Sequence, residues 1–369
     1  MIYFDHNATT PLDKRVLEAM LPFLSSFYGN PSSLYRQGRL ARSAIDNARE
    51  QLAALTDAPA SQIIFTSGGT EANNLALATL TITDKLAIST TEHHSITESA
   101  ASLQKQGINL SHINVDSQGL ISQSTLDQLI IDRPDFVSIM LANNETGVIQ
   151  DLSAITQQLK ANDIKVHTDA VQALGKIPVS FKQLAVNLMS ISSHKIYGPK
   201  GCGALIYDKD LKINPLIIGG GQERNLRSGT ENVAAIVGFG KAAELAKTEF
   251  NERNSQLLTL RSQLEIELRT IPNLSIFADR AERIPNTVLI GMPEVDGEML
   301  LMKLDQKGYA VSSGSACASG DKEPSPVLIA MGIEPALAKS AIRISLGLSN
   351  TQKEISNFIH LLKSLACQA

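Results

Sequence analysis

The sequence predicts an α/β protein, with a large domain on a mostly parallel sheet and a smaller α+β unit after it. Three features point there. From about Leu12 the chain alternates helical patterns with short β-rich runs, the signature of a parallel sheet covered by helices on both faces. Over residues 244–268 one long, charged amphipathic helix interrupts that rhythm, with Leu257, Leu260, Leu264 and Leu268 at helical spacing. A length of 369 residues at 43% hydrophobic content suffices for one large core and a second, smaller one.

In order, a helical pattern over 36–55 precedes a buried strand over 62–66. Further strands are expected at 86–88, 136–141, 164–168 and 188–191, each separated from the next by helical sequence. The helix at 244–268 is expected to link the two domains. Beyond it, strands near 286–290 and 342–345 and helices near 297–307 and 352–364 fit the smaller unit. The large domain is placed at 13–250, and the small one at 1–12 together with 251–369. There is no internal repeat and no low-complexity linker.

The formal net charge of −4 argues against a surface built to condense on nucleic acid or anionic lipid, so small molecules and proteins are the expected partners. The opening Met1-Ile2-Tyr3-Phe4-Asp5-His6-Asn7 lacks a basic region followed by an apolar stretch, and no run approaches a membrane span. A cytoplasmic protein without a membrane role is expected. Cys202, Cys317 and Cys367 are odd in number, far apart and without a Cys-x-x-Cys pair, so neither a disulfide frame nor a resident metal cluster is indicated. At least one thiol should be free.

Three segments place chemistry at strand ends. In Phe65-Thr66-Ser67-Gly68-Gly69-Thr70-Glu71, glycines and a hydroxyl stand between a strand and an apolar helix, where free N–H groups and the helix dipole favour a phosphate. Ordinary helix capping would use the same residues. In Val166-His167-Thr168-Asp169, an acid ends a strand, the place where open α/β sheets bind ligands; it could equally cap a helix. In Ser192-Ser193-His194-Lys195, hydroxyl, imidazole and amine follow one another, and a lysine in such a place is more often a solvated charge than a nucleophile. Together they suit one cofactor, pyridoxal 5'-phosphate. It needs an anion cradle for its phosphate, a carboxylate (Asp169) for its pyridinium nitrogen, and a lysine (Lys195) for its aldehyde.

The chain resembles the group I cysteine desulfurases, the NifS/IscS type of the class V aminotransferase group. The similarity runs from Phe4-Asp5-His6-Asn7-Ala8-Thr9-Thr10 to Arg343-Ile344-Ser345-Leu346-Gly347. Its most specific pieces are the run from Ser192 to Gly201, Arg227-Ser228-Gly229-Thr230, and Ser312-Ser313-Gly314-Ser315-Ala316-Cys317. The resemblance implies an aspartate aminotransferase-like large domain with a mostly parallel seven-stranded sheet. It also implies that Gly69, Thr70, Ser192 and His194 hold the cofactor phosphate, and that Thr230 reaches the phosphate of a partner subunit in a homodimer. Asn144 and Gln172 would bond around the ring hydroxyl, His93 would lie over the ring and move protons, and Arg343 with Asn144 would take the substrate carboxylate.

Without the resemblance, Asn144 and Gln172 read as ordinary turn and helix-start residues. His93 beside His94 is not read as a metal pair, because adjacent side chains diverge and no ligand cluster accompanies them. Gly219-Gly220-Gly221 lacks the spacing of a nucleotide fingerprint and reads as a turn. Cys202, between glycines, reads as a small buried hydrophobe. Cys317 lies in a stretch too small and polar to bury itself, which suits a reactive thiol.

The implied activity is removal of sulfur from L-cysteine, giving L-alanine and a persulfide on Cys317 that passes to a sulfur-acceptor protein for iron-sulfur cluster assembly or thiolation. Rivals are a selenocysteine or cystine lyase, a transaminase on the same fold, and a non-catalytic scaffold paralogue; a transaminase has no need of Cys317. Tyr35 and Asn187 stand where relatives more often carry histidine and aspartate. The sequence also ends soon after 364, without the longer tail associated with docking a cluster scaffold, which leaves the acceptor open.

Overall fold

The computed structural model describes residues 1–313 and 324–366. Its centre is a seven-stranded sheet in the order Ile63–Thr66, Gly203–Tyr207, Leu188–Ser192, Lys165–Asp169, Phe136–Ser138, Lys85–Ser89 and Asn109–Ile113. Every neighbouring pair is parallel except those made by Gly203–Tyr207, which runs antiparallel to both of its neighbours. Strands such as Ile63–Thr66 and Leu188–Ser192 are buried at every position, because helices cover both faces. On one face Ile63, Phe65, Val166, Met189 and Ile206 pack with Ile45, Leu52 and Phe239 of the helices Arg36–Thr56 and Val233–Thr248. On the other, Ile64, Leu86, Ile88 and Leu205 meet Leu75 and Ile96 of the helices Gly69–Leu77 and His94–Lys105.

A separate core forms around the antiparallel sheet Ser312–Ser313, Ile342–Ser345, Thr287–Gly291 and Ser275–Ile276. Leu257, Leu260, Leu264 and Leu268 are buried there, as their spacing predicts, against Ile355, Phe358 and Leu362 of the helix Gln352–Ala366. Phe4, fully buried, meets Phe358 edge-on at 5.4 Å. The N-terminal strand Ile2–Tyr3 pairs parallel with Tyr309–Ala310, and Asp5 bridges to Ser345. The first residues of the chain are thereby tied to its last strands.

The single helix expected over 244–268 is two helices, Val233–Thr248 and Phe250–Leu268. They meet at Glu249, whose backbone leaves the helical region at φ −102 and ψ 11. The Glu249 carboxylate is bound by Arg253 at 2.7 Å and by Arg15 of the helix Lys14–Ser25. The break is one residue wide and both sides of it read as helical sequence, so local pattern alone does not reveal it. The strand Gly203–Tyr207 was likewise not expected; it is short and framed by glycines and charges. No helix among the described residues is long and apolar enough to cross a membrane.

Candidate active site

At the carboxyl ends of the parallel strands lies a cavity of about 320 Å³. It collects Gly69, Thr70, His93, Asn144, Asp169, Gln172, Ser192, His194, Lys195 and Arg343, the ten residues that the sequence marks for cofactor and substrate and that lie far apart along the chain. Two candidates stand outside this set. Thr230 is exposed and does not line the cavity. Cys317 lies outside the described residues, as does Cys367.

The phosphate end is built by the turn from the strand Ile63–Thr66 into the helix Gly69–Leu77. The helix begins without a side-chain cap, and its first residues, Gly69 and Thr70, line the cavity, which leaves N–H groups at the helix start for an anion there. This turn presses on the antiparallel strand: a Cβ on Gly203 would lie 2.6 Å from the backbone carbon of Gly68, so only glycine fits. Across from it, the Ser192 hydroxyl is buried without a hydrogen-bond partner. An orphaned hydroxyl facing a helix N-terminus fits an anion. Beside it, burial and the charges of Lys195, Lys200 and Lys176 lower His194 to about 4, and its Nδ1 lies 3.1 Å from the Thr9 hydroxyl.

Asp169 ends its strand with both oxygens engaged. Asn73 Nδ2 donates to Oδ2 at 2.7 Å, and the Val171 N–H donates to Oδ1 at 2.9 Å. His93 caps the helix His94–Lys105, its Nδ1 accepting from the Ser95 N–H at 3.1 Å. An accepting nitrogen carries no proton, so the neutral ring bears it on Nε2. Burial holds His93 below its ordinary value; Asp169 opposes that shift, while Lys195 and His94 add to it.

Lys195 follows the strand Leu188–Ser192 on a short 3-10 turn, Ser193–Lys195. Its amine donates to the main-chain carbonyls of Asn7 and Ala8, the latter at 2.8 Å. Asn7 also ties the remaining groups together. Its carbonyl accepts from Gln172 Nε2 at 2.9 Å, and its own Nδ2 donates to the Asn144 carbonyl at 3.1 Å. The same Asn144 carbonyl accepts from Arg343 at 3.0 Å, and Asp5 pairs with that guanidinium at 2.8 Å. Arg343 Nε is left buried without a partner, a free donor edge suited to a carboxylate.

Asn7, Asn73, Ser95 and Asp5 were not expected at the site, although Asp5 and Asn7 lie in the first segment of the resemblance and Asn73 stands three residues after Thr70. The segment 143–147 is held by the Asn143 carbonyl oxygen of its side chain, which accepts from the N–H groups of Glu145 and Thr146 at 2.9 and 2.8 Å and so turns Asn144 into the cavity. Of the unusual residues, Asn187 accepts from the Val166 N–H at 2.9 Å, between the amino ends of two interior strands and away from the cavity, and Tyr35 is exposed before the helix Arg36–Thr56. Cys202 is buried and burial pushes its thiol up, which keeps it inert.

Residues 2–358 match the family model of the class-V aminotransferases, and the chain belongs to that family. It is 42% identical over 369 residues, 99% of this chain and 91% of the relative, to the cysteine desulfurase IscS of Methanosarcina thermophila. A solved NifS-like protein superposes with a TM-score of 0.93 at 37% identity, covering 100% of both chains. An SspA protein solved in complex with cysteine superposes at 0.82 with 31% identity, over 95% of this chain and 100% of that one.

Proposed function

We propose that the chain is a pyridoxal 5'-phosphate-dependent cysteine desulfurase that converts L-cysteine to L-alanine and leaves the sulfur as a persulfide on Cys317. The observation that carries this is the convergence, in one cavity, of Lys195, Asp169, the orphaned Ser192 hydroxyl and Arg343. When bound, the cofactor supplies an electron sink for carbanion charge next to the substrate amine. The chain's own residues do the rest.

Gly69, Thr70, Ser192 and His194 would hold the phosphate, and Asp169, fixed by Asn73, would serve the ring nitrogen. Lys195 would hold the cofactor aldehyde and, once released, carry the proton taken from the substrate α-carbon. His93, neutral with its proton on Nε2, would lie beside the cofactor ring and serve proton transfer at the substrate. Arg343 and Asn144 orient the substrate carboxylate, and Gln172 bonds near the ring hydroxyl. Cys317 thiolate then forms an S–S bond to the substrate sulfur as the Cβ–S bond breaks, and the electron pair left on carbon takes a proton. The ends of the segment that carries Cys317 support this role. Ser312 lies opposite Arg343 in the small sheet, and the Ser325 hydroxyl bonds Glu145, the neighbour of Asn144, at 2.5 Å.

The position of Thr230, exposed and outside the cavity, suits contact with the cofactor phosphate of a second copy, so the working unit in this proposal is a homodimer. Residues 13–250 form its cofactor domain, and 1–12 with 251–369 form the domain that presents Arg343 and Cys317. The persulfide passes to an acceptor protein for iron-sulfur cluster assembly or thiolation. The test is to mix the cofactor-loaded protein with cysteine and follow alanine together with the mass of the Cys317 peptide. A gain of one sulfur on that peptide is expected; Cys317→Ala keeps the visible absorbance and abolishes sulfide release, and Lys195→Ala loses the visible band. Alanine formed at the wild-type rate by Cys317→Ala overturns the assignment.

A further inference from the structure

Lys176 is a buried amine that the proposed reaction does not use. Its Nζ donates to Gln172 Oε1 at 2.7 Å and to Asn7 Oδ1 at 3.2 Å. The ionisable groups that act on it or feel it are Lys195, Arg343, His6 and His194, every one of them basic. Both of its hydrogen-bond acceptors are neutral amide oxygens. Burying an amine in such company costs free energy, and an apolar residue would avoid that cost.

The geometry shows what the amine does there. Lys176 Nζ donates to both amides, and as their shared donor it decides how the two are turned. Gln172 must give its oxygen to Lys176, which sends its nitrogen to the Asn7 carbonyl at 2.9 Å and leaves the second N–H on the cavity side. Asn7 must likewise direct Oδ1 toward Lys176 and Asn286, the latter donating at 3.1 Å. Its Nδ2 is then committed to Thr287 at 2.8 Å and to the Asn144 carbonyl at 3.1 Å. The carbonyl of this pinned Asn7 is the one that accepts from the Lys195 amine.

We propose that Lys176 is a positioning residue for Lys195: it locks the amides of Asn7 and Gln172 so that an acceptor faces the Lys195 amine and a donor faces the cavity. The proposal rests on Lys195 being the cofactor lysine. The basic surroundings act in the same direction as the hydrogen bonds. Burial, then Lys195 and Arg343, lower the Lys176 amine well below the ordinary lysine value, so charge on either of the two amines disfavours charge on the other. Without Lys176 the Gln172 amide can turn its oxygen toward the cavity, and that repulsion is lost. Both changes favour a protonated Lys195.

The experiment compares the wild type with Lys176→Met, Lys176→Gln and Lys176→Arg. In cofactor-free protein, reductive methylation by formaldehyde and cyanoborohydride is followed at the Lys195 peptide as a function of pH. In protein loaded with pyridoxal phosphate, the pH midpoint of the visible absorbance change is recorded. Both midpoints are expected to rise by roughly one unit in the Met and Gln variants and to return toward wild type in the Arg variant, which keeps donors and charge. Turnover should fall about tenfold while KM for cysteine stays within about twofold. Unchanged midpoints in a folded Met or Gln variant, with only a lower melting temperature, overturn the proposal and leave the cofactor assignment standing. If wild-type protein forms no visible band that depends on Lys195, the cofactor assignment falls instead, and the methylation midpoints alone decide the role of Lys176.

Discussion

Asn73 Nδ2 sits 2.7 Å from Asp169 Oδ2 and 2.8 Å from Ser95 Oγ, so one amide joins the carboxylate to the turn that carries His93. Ser95 in turn lies 2.8 Å from His93 Nδ1. The two groups proposed to serve the cofactor ring, Asp169 at its nitrogen and His93 at its face, are therefore set by a single hydrogen-bonded chain. Asn73→Ala removes its centre. The expected result is cofactor binding weakened about tenfold, the loss of one charge-assisted hydrogen bond, with little change in melting temperature of the cofactor-free protein. Titration of cofactor-free protein with pyridoxal phosphate, followed by absorbance, measures it; an unchanged dissociation constant would remove Asn73 from the site.

Glu145 predicts a pH dependence of stability. Burial raises its carboxyl from 4.5 to about 7, against the opposing effects of Ser325 and Arg343. Between those two values the folded chain holds a proton that the unfolded chain has released. Stability from this group is thus full at the acid end, declines as pH rises through the window, and is gone above about 7. Glu145→Gln keeps an acceptor for the Ser325 hydroxyl and does not titrate, so it should flatten that part of the curve. Urea unfolding at about pH 5 and about pH 8 in both proteins provides the comparison.

The third prediction concerns Gly347. A Cβ there would lie 2.1 Å from Cε1 of His6 and 2.3 Å from both ring nitrogens. The ring cannot yield, being buried between Tyr3, at 5.0 Å between centroids, and Tyr197, at 6.3 Å. Gly347→Ala is expected to cost at least about 2 kcal/mol, the upper part of the range for overpacking. It should also lower activity, because His6 precedes the Asn7 carbonyl that holds Lys195. A thermal melt indistinguishable from wild type would show that the segment has slack the contacts deny.

Much of the site can be read in the sequence because parallel strands advertise their ends. Asp169, Ser192 and Lys195 each follow an apolar run, and an open α/β sheet brings the ends of such runs together. Arg343 and Gln172 have no such local signal; only the resemblance raised them, and the fold places them in the same cavity. Asn7 escaped for a different reason, since it acts on Lys195 through its main-chain carbonyl, which every residue possesses. The helix break at Glu249 and the strand Gly203–Tyr207 depend on tertiary partners, Arg15 in one case and two flanking strands in the other. No window of local sequence contains those partners.

The pairing of the N-terminal segment with Ser345 has a consequence for synthesis. Ser345 donates its N–H to the Phe4 carbonyl at 2.8 Å, and its hydroxyl accepts from the Asn7 N–H at 2.9 Å. The residues made first therefore wait for nearly the last strand to leave the ribosome before Asn7 is held where Lys195 needs it. Synthesised at about 5–20 residues per second, the chain spends roughly 7 to 28 seconds between the last strand of its large sheet, ending at Tyr207, and Ser345, with its reactive amine unplaced. Until Ser345 is in place, the Asn7 carbonyl is not held against the Lys195 amine.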